Sequence, residues 1–286
     1  MKNNLKAKYN VFCILSVILS QFLFNSIFAD TLNDKQHPTA SSNKNLSNWL
    51  VHGGDHGEQR FSPLKEINDQ TINKLGLAWY ADVLSIDGLL ATPIVVDGVI
   101  YLSSTFANVF AFDAKTGEEI WHFDPGVRLD TSIIGSWASR VNRGVAVSEG
   151  KVFVGTGDCR LIAIDAAKGE QLWEILTCDP EQNYGVTGAP RIARGKVFIG
   201  NGSSDMGVRG YVTAYDSETG KQLWRFWVVP GDPALGSEHD AMAMAAKTWT
   251  GTGWWKNGGG AVWDSMTYDP EFNSLYIGTD SALPWD

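Results

Sequence analysis

Charge, cysteine and proline are scarce in this chain of 286 residues, which has 19% Asp, Glu, Lys and Arg, 3 Cys and 10 Pro. So little charge beside 44% apolar residues excludes a disordered chain or a long coiled coil, and the proline content excludes a collagenous one. Positive charge is the scarcer sign: 23 Lys and Arg face 32 Asp and Glu, a formal charge of −9, so no nucleic-acid partner is expected. A dinucleotide fingerprint is also missing, because Gly155-Thr156-Gly157 lacks a third glycine and a following helix. What is abundant is glycine, with 30 residues, and aromatic side chains, including 12 Trp. Together they indicate many short strands joined by tight turns, an all-β protein.

The first 29 residues read separately. Lys2, Lys6 and Lys8 precede an apolar run from Val11 to Phe28, and Ala29 stands before Asp30. That is the form of a secretory signal peptide, expected to end at Ala29. Ser16, Ser20, Gln21 and Asn25 interrupt the run, which disfavours a stable membrane span. The mature chain is then expected in the periplasm or secreted. Losing three lysines and no acid takes its formal charge from −9 to −12. Cys13 leaves with the leader, and Cys159 and Cys178 face each other across an expected hairpin. A disulfide and two separate buried thiols both fit that placement.

Three segments align without gaps: Ala111-Phe-Asp-Ala-Lys-Thr-Gly-Glu-Glu-Ile-Trp121, Ala163-Ile-Asp-Ala-Ala-Lys-Gly-Glu-Gln-Leu-Trp173 and Ala214-Tyr-Asp-Ser-Glu-Thr-Gly-Lys-Gln-Leu-Trp224. The tryptophans recur after 52 and then 51 residues. Ahead of each block stand a two-residue turn and a strand pattern, at Asp97-Gly98, Glu149-Gly150 and Arg194-Gly195. A period of about 50 residues built of short strands predicts a β-propeller of four-stranded antiparallel blades. Within each block Asp is suited to bond the turn backbone and Gly to supply positive φ, after which a strand is expected to end on Trp. Trp121, Trp173 and Trp224 read as docking residues between neighbouring sheets, their indole N–H groups in need of acceptors. Leu77-Ala78-Trp79 looks like the end of one such strand, and Met266 to Gly278 like the opening of another blade.

Several motifs in order resemble the quinoprotein alcohol dehydrogenases, which use pyrroloquinoline quinone (PQQ) and calcium, nearer the ethanol type than the methanol type. They are Asn48-Trp49 to Asp55, Gln59 to Leu64, Val141-Asn-Arg-Gly-Val-Ala146, Thr187-Gly-Ala-Pro190, Gly207-Val-Arg-Gly-Tyr211, Val229-Pro-Gly-Asp-Pro233 and Val262-Trp-Asp-Ser265. The resemblance implies an eight-bladed propeller, of which residues 30–286 would supply about half. It also implies oxidation of a small alcohol by hydride transfer to PQQ, with a cytochrome c as an electron acceptor. By position, Arg143 would bond the cofactor's oxygens, Thr187 a cofactor carboxylate, and Trp263 would lie flat beneath the ring system. Asp205 and Ser281 stand where the family has its calcium-ligating Glu and Asn. The family's catalytic Asp would fall beyond residue 286, so no catalytic residue is assigned.

Departures accompany the matches. Leu90 stands in place of a cofactor-bonding Glu, Ala261 in place of a Thr, and Trp137-Ala138 in place of adjacent cysteines. Trp137 could cap a quinone or fill its pocket. Arg143 could equally be a structural arginine between blades and Asp205 a turn former, and Trp263 is expected to be buried in either case, as cofactor floor or as core. His52 and His56 read as solvated loop histidines, since Gly53-Gly54 between them breaks any helix. Trp249 to Trp255 could face substrate or pack between blades. A non-catalytic periplasmic binding module, or propeller relic, is the alternative to the dehydrogenase. Open blade faces would favour self-association.

Overall fold

Three two-residue hairpins of one design open three sheets. At Asp97-Gly98, Glu149-Gly150 and Arg194-Gly195 both turn residues have positive φ, between 47° and 86°. This turn matches the twist of the flanking strands. The computed structural model describes residues 46–129 and 138–281, all within one compact unit, Pro38–Asp286. The expected leader, Trp137 and residues 283–285 lie outside the described residues.

The first sheet is β1 (Ile94–Val96), β2 (Val99–Ser103), β3 (Val109–Asp113) and β4 (Glu119–Phe123). The second is β5 (Ala146–Ser148), β6 (Lys151–Gly155), β7 (Arg160–Asp165) and β8 (Gln171–Leu176). The third is β9 (Arg191–Ala193), β10 (Lys196–Gly200), β11 (Tyr211–Asp216) and β12 (Gln222–Trp227). Each is antiparallel in chain order, and β13 (Met266–Asp269) with β14 (Ser274–Ile277) begins another. β1 lies by β5, β5 by β9 and β9 by β13, so the first strands form one inner edge. This is the propeller architecture. One α-helix, α1 (Asp240–Ala246), is described from end to end.

The core lies between sheets. One apolar cluster joins Val109, Ala111 and Trp121 to Val152, Val154 and Ile162. A second joins Phe153 and Ala163 to Val197, Ile199 and Tyr215, and a third joins Phe198 and Ala214 to Val262 and Met266. Middle strands are covered on both faces, which is why Phe-Ala-Phe in β3 and Leu-Ile-Ala-Ile in β7 do not alternate with polar residues. The outer strands β4 and β8 do alternate.

Each repeat tryptophan lies opposite the alanine of its own block, Ala111 with Trp121, Ala163 with Trp173 and Ala214 with Trp224. The small partner leaves the ring free to lean outward. Trp121 reaches the next sheet, where its indole N–H donates to Ala166 O at 2.9 Å, and Trp173 donates to Ser217 O at 3.3 Å. Trp79 donates in the same way to Ala114 O at 3.1 Å, although it lies in no strand. The acceptor is always the residue after the block's aspartate. Asp113, Asp165 and Asp216 fix that turn by accepting the backbone N–H groups two and three residues on. The glycine of the turn then lies flat against the incoming indole. A Cβ on Gly169 would stand 2.7 Å from Trp121, and one on Gly220 2.9 Å from Trp173.

Two sequence expectations need correction. The strands do not end on tryptophan: it is the third residue of β4, β8 and β12, and pairing continues to Phe123, Leu176 and Trp227. A ring anchored from mid-strand has paired backbone on both sides. Trp224, whose expected role matches that of the others, is 40% exposed and meets no such turn among the described residues. The pairing left open for Cys159 and Cys178 resolves as a disulfide across the open end of the β7–β8 hairpin. Closing a loop over 19 residues of separation restricts the unfolded chain by about 3 kcal/mol.

Gly150 and Gly169 share φ 72°, but a Cβ at Gly150 meets nothing within 4 Å. Gly150→Ala is therefore expected to cost only the backbone strain, about 1–2 kcal/mol. Gly169→Ala should lose roughly 1–3 kcal/mol more by pushing Trp121 outward. Urea unfolding of both variants checks this, and equal losses would remove the glycine–indole contact from the account.

Candidate functional site

The loops that enter the inner strands converge because several glycines let backbones approach closely. Residues 260–263 run past the ends of the third sheet, where a Cβ on Gly188 would strike the Trp263 carbonyl and one on Gly210 would strike Gly260. Hydrogen bonds hold this run in place: Gly210 N to Gly259 O, Gly260 N to Asp280 O and Asp280 N to Ala261 O.

Arg143 is fixed from both sides. Its N–H donates to Thr187 O at 3.0 Å and its carbonyl accepts from Thr92 N at 3.3 Å, so it bridges the entries to β9 and β1. Beside it Asn142, 4% exposed, donates to Gly155 O and accepts from the Ser103 hydroxyl and Gly144 N. The Arg143 guanidinium reaches Thr187 O at 3.4 Å and lies 4.4 Å over the Trp263 ring. Burial presses the guanidinium below its ordinary pKa and Asp264 opposes that shift. An arginine so placed stays charged. Thr187 Oγ1 and Trp263 Cβ approach the same spot, 3.8 and 3.9 Å from where a Gly202 Cβ would be. The three residues assigned from sequence to the cofactor are thus brought together.

Burial of Trp263, expected whether the ring serves as cofactor floor or as core, is not observed. Trp263 is 40% exposed, since Arg143 covers only part of the indole while the preceding Ala261 and Val262 are buried. Asp205 is half-buried in a single 3-10 turn, Ser204–Met206. Ser204, fully buried, donates from its hydroxyl to Ser281 O at 3.0 Å and to Asp280 Oδ2 at 3.3 Å. Asp280 Oδ1 accepts from Ser281 N at 2.7 Å. Ser204, next to Asp205 in the chain, therefore ties the Asp205 turn to Ser281 and adds Asp280, a carboxylate that sequence reasoning missed because it occupies no motif position. These are all oxygen donors, suited to a hard cation. Among the described residues no three His, Cys, Asp or Glu side chains gather into a metal cluster. Ala261 is fully buried and Leu90 is exposed, so neither adds a polar group.

Next to the Thr187 and Trp263 loops lies a charged group that no motif announced. Arg191, 7% exposed, donates from Nη1 to Ala189 O and from Nε to Met266 O, at 2.8 and 3.0 Å. Asp264 follows Trp263, and its Oδ1 is buried with no hydrogen-bond partner among the described residues. Such an orphan costs about 1–3 kcal/mol. Glu58 and His52 of the N-terminal segment feel Arg191 and Asp264, and burial raises the Glu58 pKa and lowers that of His52. His56, edge-on to Tyr268 at 5.6 Å, is lowered by burial as well. Both histidines are half-buried, not solvated as expected, because their segment is pinned at Trp49 to Val95 and at His56 O to Thr267. The tryptophan-rich loop packs on itself and on the third sheet's exit: Trp254 meets Trp249 and Trp255, and its N–H donates to Pro230 O.

A guanidinium over an open indole, a threonine beside them and an oxygen-rich edge suit a flat, anionic, aromatic ligand. The sequence matches the family of glucose, ethanol and alcohol dehydrogenase PQQ β-propeller domains over residues 49–284. The chain belongs to this family, whose cofactor is PQQ. It is 53% identical over 239 residues to quinohemoprotein alcohol dehydrogenase ADH IIB of Pseudomonas putida, covering 83% of this chain and 34% of that one. The solved structure of quinohemoprotein alcohol dehydrogenase ADHIIG from Pseudomonas putida superposes with TM-score 0.82 at 50% identity, over 87% of this chain and 36% of the other. A europium-containing methanol dehydrogenase superposes with TM-score 0.71 at 30% identity, over 84% and 43%. The chain spans about a third of the length of the curated relatives it matches.

His52 and His56 have folded pKa values below their ordinary 6.5. The unfolded chain then takes up protons first, so their contribution to stability is complete above pH 6.5 and is lost as pH falls below it. The thermal midpoint is expected to drop between about pH 7.5 and pH 5.5, and less so in a His52→Asn, His56→Asn double variant. Parallel pH profiles for the two proteins would contradict this.

Proposed function

We propose that this chain supplies one side of the quinone site of an exported PQQ-dependent alcohol dehydrogenase. The observation that carries the reading is the Arg143 guanidinium 4.4 Å over a Trp263 indole that remains 40% exposed. Bound PQQ would provide the quinone that accepts a hydride equivalent from the alcohol, with calcium polarising it.

The chain's own residues bind and orient. Trp263 offers a flat apolar surface, Arg143 a fixed positive charge and a fork of donors for carboxylate or quinone oxygens, and Thr187 a hydroxyl at the rim. Asp205, Asp280 and Ser281 would hold the calcium. A planar ligand on the uncovered part of this indole would meet the guanidinium at its edge. A small alcohol is the substrate class, and the quinohemoprotein relatives, whose name pairs quinone with haem, support a cytochrome c acceptor. The basic, apolar leader pattern supports a periplasmic location.

The second reading, a non-catalytic binding module, rests on Leu90 and Ala261, which put no polar atom where the family has Glu and Thr. The two readings part on cofactor affinity. PQQ titrated into the calcium-loaded full chain should quench tryptophan fluorescence saturably. Arg143→Gln should weaken binding roughly 10- to 100-fold, the worth of a charged hydrogen bond. Chelating calcium should weaken it further. A chain that shows no saturable binding with calcium present would favour the module.

A further inference from the structure

We propose that Arg191 and Asp264 are positioning residues that hold Arg143 and Trp263 in stacking register. The proposal rests on the quinone-site reading and extends it to two residues that touch no ligand in that reading. Arg191 is the first residue of β9 and is almost wholly buried. Its two donations, to Ala189 O and Met266 O, tie the loop that carries Thr187 to the strand that follows Trp263. Gly188 lies between Thr187 and Ala189 in the chain, and a Cβ there would approach Asp264 Cα to 3.3 Å as well as striking the Trp263 carbonyl. The Thr187 and Trp263 loops are thus clamped backbone to backbone, with Arg191 as the strut.

Asp264 supplies the charge. Arg143 and Arg191 are both desolvated cations, and Asp264 is the anion that acts on both. Glu58 also faces Arg191, while Arg60 repels it. The buried Asp264 Oδ1, met by no donor among the described residues, leaves the field of the carboxylate unspent on a hydrogen bond. Here it offsets two like charges and draws the Arg143 guanidinium toward the Trp263 loop. Without it, the guanidinium is expected to leave the indole for solvent.

The test uses two readouts on the full chain. The Arg143 Nε–H resonance, assigned by its loss in Arg143→Lys, reports stacking through the indole ring current and needs no quinone. PQQ affinity with calcium is measured separately. Asp264→Asn should abolish most of the ring-current shift and weaken PQQ binding at least tenfold, whereas Asp264→Glu, which keeps the charge, should restore part of both. Arg191→Lys, which keeps the charge but loses the fork, should reduce the shift and serves where an Asp264 variant fails to fold. A shift unchanged in Asp264→Asn and Arg191→Lys overturns the proposal. Equal losses in Asp264→Asn and Asp264→Glu also overturn it, because a merely structural site does not distinguish charge. If the unaltered chain binds no PQQ, the quinone-site reading falls, and the ring-current shift still decides the positioning role.

Discussion

The fold depends on one repeated contact, an indole laid on a glycine of the neighbouring sheet with its N–H bonded to the carbonyl just after that turn's aspartate. Sheets with both faces covered have no register of their own with respect to each other, since apolar packing is not directional. Trp121 and Trp173 supply that register. The ring fits only where no Cβ stands, at Gly169 or Gly220, and its N–H finds an acceptor only at Ala166 or Ser217. Steric and polar conditions coincide at one point per interface, which fixes the rotation between blades.

That rotation determines what happens at the inner edge. With β1, β5, β9 and β13 brought side by side, the loops leading into them must cross within van der Waals distance. The chain accommodates this with glycines at the crossing points and with carbonyls as common acceptors. Thr187 O takes hydrogen bonds from both the backbone and the side chain of Arg143, and Met266 O takes one from Arg191. The candidate site is a consequence of this crowding: Arg143 enters from before β5, Thr187 from before β9 and Trp263 from before β13, each at the same level of its own blade.

The repeat made the architecture legible, because the Asp-to-Gly turn and the Ala–Trp spacing state a local geometry that recurs. Family motifs located Arg143, Thr187 and Trp263, and the structure places them together. Asp280 and Asp264 were not legible. Asp280 stands outside every motif and acquires its place only when Ser204 bridges it to Ser281. The role of Asp264 depends on Arg191, 73 residues earlier in the chain, and on an oxygen left without a partner, which no spacing rule encodes. The half-burial of His52 and His56 was hidden for the same reason, since it arises from contacts between residues distant in the chain, of Trp49 with Val95 and of His56 with Thr267.

Charge balance then separates the two parts of the site. At the indole, two guanidinium groups share the field of Asp264, and the outer one faces open surface, which leaves a net attraction for an anion. In the proposed calcium site, Asp205 and Asp280 would leave a net attraction for a cation. An anionic planar ligand and a divalent cation would each neutralise the end that the protein leaves uncompensated, and each would reduce the repulsion that the other meets on entering. In the proposed site, binding of the two would therefore be coupled through this chain's own charges, before any contact between ligand and metal is considered.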